Sequence, residues 1–333
     1  MARAGWEEAS ILKRRKPIAM MVVDTMLAPA TRAKLGIVQA ARTYADSVLG
    51  LDAGKSFTMF SQLSSDTLVL VLSAAYRDKL QFHRWWFPIV GRVPYKGWFD
   101  FNAARREEER FRDDGFDTEL RPASAFSTLG WFNDPLLSTT LRADSLYLAN
   151  TVIHELTHNE FYASGQAEFN ESFANFVGAR GSAQFFRQRG STAAAAEAEA
   201  RWSDEKALAG FWRRLYLDID SVFKAHPGDS AKHTRLALRD SVYRVAKNHL
   251  VFKLAPALRT VSPRYLERLK LDNATLLAGR IYQTDLALFD SVFVREGSDT
   301  RRSVARIIAL ARSQPKQPYD AVRAWLKTAG RGP

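Results

Sequence analysis

Hydrophobic positions along this chain repeat in two rhythms, and the change falls near residue 143. Upstream, helical and strand-like patterns are mixed. Residues 5–50 carry apolar side chains at helical spacing, broken at Pro17 and Pro29, where a helix cannot continue. Phe57-Thr58-Met59-Phe60 and Leu68-Val69-Leu70-Val71-Leu72 are short apolar runs that predict strands. Residues 82–101 are aromatic (Trp85, Trp86, Phe87, Tyr95, Trp98, Phe99) and punctuated by glycine, which predicts a hairpin or paired strands. A charged helix is expected over about 102–114 and a strand over about 117–126. Downstream of 143 nearly every segment follows the helical period, with turns at His226-Pro227-Gly228, Ser262-Pro263 and Gln314-Pro315.

This order predicts an α+β chain with a small sheet before residue 143 and a mostly helical half after it. The 333 residues are read as a single unit, 1–142 forming a helical N-terminus plus sheet and 143–333 a helical subregion. Hydrophobic residues make up 46% and charged residues 25%, ordinary values for a globular protein. No run of 18 apolar residues exists to span a bilayer. The absence of cysteine excludes disulfides, thiol catalysis and cysteine-ligated zinc.

Net charge is +12, which raises the question of an acidic partner. The charge is scattered, however. Lys13-Arg14-Arg15-Lys16 is the one compact basic run, and Arg105-Arg106-Glu107-Glu108-Glu109-Arg110 is a mixed, solvated face. No nucleic-acid motif is present, so nucleic acid is not an expected partner, while the basic run allows peripheral contact with an anionic membrane. Gly50-Leu51-Asp52-Ala53-Gly54-Lys55-Ser56 falls one residue short of a phosphate-binding loop and follows a helix, so nucleotide binding is rejected.

The chemistry concentrates in the helical half, at His154-Glu155-Leu156-Thr157-His158. Two imidazoles four residues apart on a helix share one face and can grip a single Zn²⁺. Glu155, rotated by about 100° from His154, is poorly placed as a ligand but can reach a water at the metal and act as its base. Asp144 or Ser145 can cap the helix, and Ser164-Gly165 can end it. A second helix then starts near Gln166, with Phe169, Phe173 and Phe176 on one stripe. A catalytic zinc needs three protein ligands and an open position. Glu160 sits on the opposite side of its helix from the histidines, whereas Glu168 and Glu171, three apart, nearly share a face, and spacing alone does not separate them. A metzincin pattern is excluded, because Phe161 and Ser164 occupy its glycine and third-histidine positions.

The stretch Val152-Ile153-His154-Glu155-Leu156-Thr157-His158, with Phe169-Asn170-Glu171-Ser172-Phe173-Ala174-Asn175-Phe176-Val177-Gly178, resembles the bacterial predicted-aminopeptidase family. So does the block from Ala125 through Gly130-Trp131-Phe132-Asn133-Asp134-Pro135 to Thr139. Weaker matches are Phe87-Pro88-Ile89-Val90-Gly91 with Tyr95-Lys96-Gly97, and Asn273-Ala274-Thr275-Leu276-Leu277 with Tyr282. The resemblance runs from about residue 8 to about 295. Asn-Glu-Ser-Phe-Ala is also similar to the Asn-Glu-x-Phe-Ala of gluzincin aminopeptidases, whose glutamate is the third zinc ligand.

This resemblance implies that Glu171 completes a His154–His158–Glu171 site for one Zn²⁺ per chain. It also implies that Tyr282 supplies a hydroxyl to the oxyanion, with Tyr162 and Tyr95 as weaker rivals. Twelve residues separate His158 from Glu171, fewer than the gluzincin interval of about eighteen, so the turn between the helices must be tight. The implied activity is a zinc metallopeptidase, an aminopeptidase by preference, acting on peptide substrate. The alternatives are a zinc endopeptidase or amidase acting on cell-envelope peptides, and a zinc-binding envelope scaffold with little turnover.

An aminopeptidase also needs an acid for the substrate amine, for which Glu168, Asp134 and Glu160 are candidates. Asn170 and Asn175 are candidates to orient the ligands. His83, His226, His233 and His249 have no metal-ligand spacing. Zincins add substrate to a sheet edge, and the strand near 117–127 is the expected edge. Members of the resembled family often carry a lipoprotein signal, so the cell envelope is expected, or the cytoplasm if Met1 is the native start.

Overall fold

The structure, a computed structural model, describes residues 15–63, 69–87, 91–123 and 135–328. The elements begin with β1 (Lys16–Pro17), α1 (Ile18–Val23) and α2 (Pro29–Tyr44), the last prolonged by a π-helical turn over Ala45–Leu49. The strands β2 (Met59–Ser61), β3 (Val69–Tyr76), β4 (Trp85–Phe87), β5 (Gly91–Val93) and β6 (Tyr95–Trp98) follow. Next come α3 (Phe101–Asp113), β7 (Phe116–Ala123), β8 (Leu136–Leu137) and α4 (Ser138–Leu141). The helical half holds α5 (Ser145–Glu160), α6 (Ala167–Gln188), α7 (Thr192–Ala225), α8 (Lys232–His249) and α9 (Pro263–Arg268). It ends with α10 (Asn273–Tyr282), α11 (Leu286–Arg295), α12 (Thr300–Ser313) and α13 (Pro318–Thr328).

The α+β class and the order of strands and helices agree with the sequence pattern. Both proline breaks are real: Pro17 precedes α1, and Pro29 occupies the first turn of α2, where its missing N–H costs nothing. The expected single small sheet is instead three small ones. They are the mixed β1-β2-β8, the antiparallel β6-β3-β7 and the β4-β5 hairpin. Local patterning predicts strands but not their partners, because register depends on segments far apart in sequence.

Two compact units emerge, each built from separated stretches of chain. The first takes residues up to 66, 124–203 and 284 onward, and the second takes 67–123 and 204–283. The helix α7 contains one of the boundaries, between Ser203 and Asp204.

In the first unit, α5 and α6 form an antiparallel hairpin joined by residues 161–166. The predicted aromatic stripe exists. Phe169, Phe173 and Phe176 of α6 all pack on Phe289 of α11, with ring centroids 5.7, 5.9 and 5.8 Å away. Beneath them, Arg180 bridges Glu199 of α7 at 2.6 Å and Asp290 of α11 at 2.7 Å. Trp202 Nε1 also donates to Asp290. The α5–α6 contact is close because α6 presents glycines to it. A Cβ on Gly178 would lie 3.0 Å from the Asn150 carbonyl oxygen, and one on Gly181 would lie 3.0 Å from Ile153 Cγ2.

In the second unit, β3 is the central strand between β6 and β7. Its Leu72 and Ala74 face Phe111 of α3, along with Phe116, Leu120, Trp85 and Trp98. The other face carries Asp117, Glu119 and Arg121 beside Ala75, Ser73 and Val71, because directly paired residues share a side. As expected, β7 is an edge of its sheet among the described residues. The helices of this unit close a core around Trp212, Leu215, Ile219, Leu250, Leu266 and Leu276. No helix among the described residues is long and apolar enough to cross a membrane.

Candidate metal centre

The helix α5 begins where the sequence places it. Asp144 is the N-cap, its Oδ1 accepting from the Tyr147 N–H at 2.7 Å. Leu148, Ala149, Val152, Ile153 and Leu156 form its fully buried side. That burial fixes the rotation of the helix about its axis and turns the half-buried His154 and His158 together toward another face. Their Nε2 atoms stand 3.2 Å apart.

The third group arrives from α6. Glu171 Oε2 lies 3.4 Å from His154 Nε2 and 3.6 Å from His158 Nε2. A tetrahedral zinc with bonds of about 2.0–2.2 Å has ligand–ligand edges of roughly 3.3–3.6 Å. Two of the observed edges fall in that range and the third, at 3.2 Å, lies about 0.1 Å below it. Two imidazole nitrogens and a carboxylate oxygen converge on one point, and this is the one such group among the described residues. Glu168 does not join it: exposed one turn earlier on α6, it accepts from Thr284 Oγ1 at 3.3 Å. Glu160 points elsewhere too, accepting from the Asp52 N–H at 3.2 Å.

The short interval between the ligands is held by Asn170. Its fully buried side chain grips both polar groups of Ala163 in the connecting loop. Oδ1 accepts from Ala163 N–H at 2.9 Å and Nδ2 donates to Ala163 O at 2.8 Å. Gly165, at φ +75°, makes the turn that a residue with a Cβ would resist. Asn170 thus fastens the loop to α6 at the residue just before Glu171. Sequence reasoning named it as an orienting group but missed this loop contact. It also missed the glycine notch, although Gly178 and Gly181, three apart on one helix face, were a readable signal.

The electrostatics follow the packing. Burial would raise the Glu171 carboxyl, but hydrogen bonds from His154 and His158, with their charge, outweigh it and hold it at about 2. Burial pulls the His154 ring down, yet the hydrogen bond to Glu171 and the charges of Glu155 and Glu171 prevail and raise it. Asn175, one turn beyond Glu171, accepts a further hydrogen bond from His154. That partner fixes the ring, as an outer-shell acceptor does for a ligating imidazole. His158 Nδ1 is buried with no such partner. Glu155 is half-buried beside the group, and among the described residues its carboxylate makes no hydrogen bond or ion pair.

The remaining sequence candidates separate. Tyr162 follows His158 by one turn, its ring centroid 6.4 Å from the imidazole. Tyr282 ends α10 in the second unit, partly exposed, with the Arg121 guanidinium 6.0 Å from its ring. Tyr95 lies on β6 of that unit and is exposed. Asp134 lies outside the described residues, as do Lys13, Arg14 and most of the block from Ala125 to Thr139. His83 is packed among Trp85, Phe111 and Phe116.

Two imidazoles and a carboxylate converging on one point define a protein with a group that could hold a metal ion. The chain belongs to the family described as putative aminopeptidase, which matches residues 1–321. No curated protein and no solved structure matches it. Membership in that family points to a peptidase, a hydrolase of peptide bonds.

Proposed function

We propose that this chain is a zinc-dependent metallopeptidase of gluzincin type, and an aminopeptidase by preference. His154, His158 and Glu171 hold one Zn²⁺ per chain. Bound there, zinc supplies Lewis acidity that makes a water nucleophilic near neutral pH. Glu155 takes the proton of that water as it attacks the peptide carbonyl, then hands it to the departing amine. Asn175 keeps the His154 ring turned to its task. Tyr282 is assigned the hydroxyl that steadies the oxyanion, on resemblance alone.

The observation that carries this reading is the set of three edges, 3.2, 3.4 and 3.6 Å, close to those of a tetrahedral ligand face. The identity of the metal as zinc is supported by its two-imidazole, one-carboxylate donor set. The decisive experiment quantifies zinc in the purified chain and follows hydrolysis of free and N-blocked peptides, in wild type and in Glu155→Gln. One zinc per chain is expected, with turnover of free-amine substrates only. In Glu155→Gln the metal should stay while kcat falls by about 10²–10⁴-fold. Equal turnover of blocked peptides would convert the reading to an endopeptidase, and zinc without turnover to a scaffold. A chain that takes up no zinc would end it.

A further inference from the structure

A second gathering of charge lies wholly within the second unit. A cavity of about 420 Å³ opens between the turn after β3, the start of β7, α8 and the start of α10. Its walls carry both signs: Arg77, Arg239 and Lys270 among the cations, Asp117, Asp240 and Asp272 among the anions. The Asn273-Ala274-Thr275 stretch singled out by the sequence begins here, capped by Asp272, whose Oδ1 accepts from the Thr275 N–H at 2.9 Å.

Part of this network closes on itself. Arg239, 3% exposed, donates from Nε to Asn273 Oδ1 at 3.2 Å, from Nη1 to Asp240 Oδ1 at 2.7 Å, and from Nη2 to Asp117 Oδ2. The Asn273 N–H adds a bond to Asp117 Oδ2 at 3.0 Å, and Tyr243 donates to Asn273 Oδ1 at 2.6 Å. These bonds account for the buried guanidinium.

The rest is left open. Arg77 Nε is buried and makes no hydrogen bond. Asp117 Oδ1 stands 3.8 Å from it, and Arg77 Nη2 stands 3.7 Å from Asp240 Oδ2. Those distances exceed a hydrogen bond. One guanidinium and two carboxylate oxygens therefore lie underused at the cavity, with Lys270 at its rim paired to Asp272 Oδ2 at 2.6 Å. Burial, reinforced by Asp272, pushes the Asp117 carboxyl up even against Arg239.

The complement of such a cavity is a small molecule carrying both signs a few ångströms apart. An anion alone would leave the carboxylates uncompensated, and an amine alone would leave Arg77 so. We propose that this cavity binds a free amino acid or dipeptide as its zwitterion, the carboxylate on Arg77 beside the Lys270–Asp272 ion pair, the ammonium on Asp117 Oδ1 and Asp240 Oδ2. This ligand class coincides with the products of the peptidase reaction proposed above, but the binding does not depend on that reaction.

The test uses full-length Glu155→Gln protein stripped of metal, so that neither hydrolysis nor the metal centre contributes. Calorimetric titration compares alanyl-alanine, its N-acetyl form, its C-terminal amide and inorganic phosphate. Saturable binding of the free dipeptide is expected, with each blocked form at least tenfold weaker. Arg77→Met and Asp240→Asn should each weaken the free dipeptide at least tenfold. Both side chains are about half-exposed, at 42% and 52%, so the variants should retain the wild-type melting temperature within a few degrees. If Arg77→Met is unstable, Arg77→Gln, which keeps a polar side chain at this half-exposed position, reads the same loss. No binding of the free dipeptide, equal binding of the blocked forms, unchanged affinity in the variants, or binding of phosphate in its place would each overturn the proposal. A chain that fails to take up zinc would leave this outcome unaffected.

Discussion

The two units each bury a polar cluster, and the clusters are built on opposite plans. In the first, His154, His158 and Glu171 bring three lone-pair atoms to within 3.2–3.6 Å of one another. In the second, Arg239 meets Asp117, Asp240 and Asn273, each donor with an acceptor. A cluster of matched donors and acceptors is largely satisfied by the protein's own atoms, apart from the open side around Arg77. Converging acceptors are not, because two neutral imidazoles and a carboxylate leave only repulsion at their meeting point unless a proton or a cation sits there. Buried polarity of the first kind marks a place for something else, whereas polarity of the second kind is mostly architecture.

That contrast can be broken most severely at Arg239. Arg239→Met strands Asp117 and Asp240 without their cation. Breaking a buried pair from one side costs roughly 3–5 kcal/mol, which urea unfolding should read as a lower midpoint. Metal content per folded chain should not change. Loss of metal in this variant would mean that the two clusters are not the separate devices described.

Asn170→Ala acts in the first unit and should move both quantities. It leaves the buried N–H of Ala163 without its partner, while the Ala163 carbonyl keeps the Gln166 N–H, at a cost of roughly 1–3 kcal/mol. It also frees the loop that sets Glu171 against the histidines, so metal affinity should fall by about 10–100-fold in competition with a chelator. Stability lost with metal affinity intact would reduce Asn170 to a loop staple.

The smallest effect separates the clusters by pH. Glu119 on β7 has a buried Oε2 without a partner, and burial pushes its carboxyl from 4.5 up to about 7. The unfolded chain gives up this proton near pH 4.5 and the folded chain near 7, so the second unit loses stability as pH rises through that window, by roughly 3 kcal/mol. Glu171 runs the other way in metal-free protein. Held at about 2, it contributes stability above pH 4.5 that is lost as pH falls toward 2. Melting temperatures across pH should therefore flatten between 4.5 and 7 in Glu119→Gln, and below 4.5 in Glu171→Gln. Identical profiles in the two variants would deny the opposite signs.

How far the sequence could be read depended on distance along the chain. His154 and His158 lie one turn apart, so periodicity alone put them together. The cap at Asp144 and the stripe of Phe169, Phe173 and Phe176 are equally local, whereas the helix expected to stop at Ser164-Gly165 ends earlier, at Glu160. Glu171 against Glu168 was harder, since the two lie three apart on one helix. What separates them is the rotation of α6, set by Phe289 and Asn170 and invisible to spacing. The Asp117–Arg239–Asn273 network was illegible, because its members stand 122 and 156 residues apart. The division into two interleaved units was hidden for the same reason. The strand at β7 could be predicted from its alternation, but whether its edge receives peptide is a matter of partners that no local pattern encodes.

The compactness of the α5–α6 hairpin also bears on how the protein is made. All three metal-binding candidates and the adjacent base fall within the stretch 154–171. Contacts of such short span form early and at little loop-closure cost. The aromatic face of α6, by contrast, waits for Phe289, which emerges from the ribosome more than a hundred residues later. On a growing chain the donor atoms can therefore meet before the helix that buries their far side exists. A cation captured at that stage would act as a clasp on a nascent hairpin, with the rest of the unit folding around it.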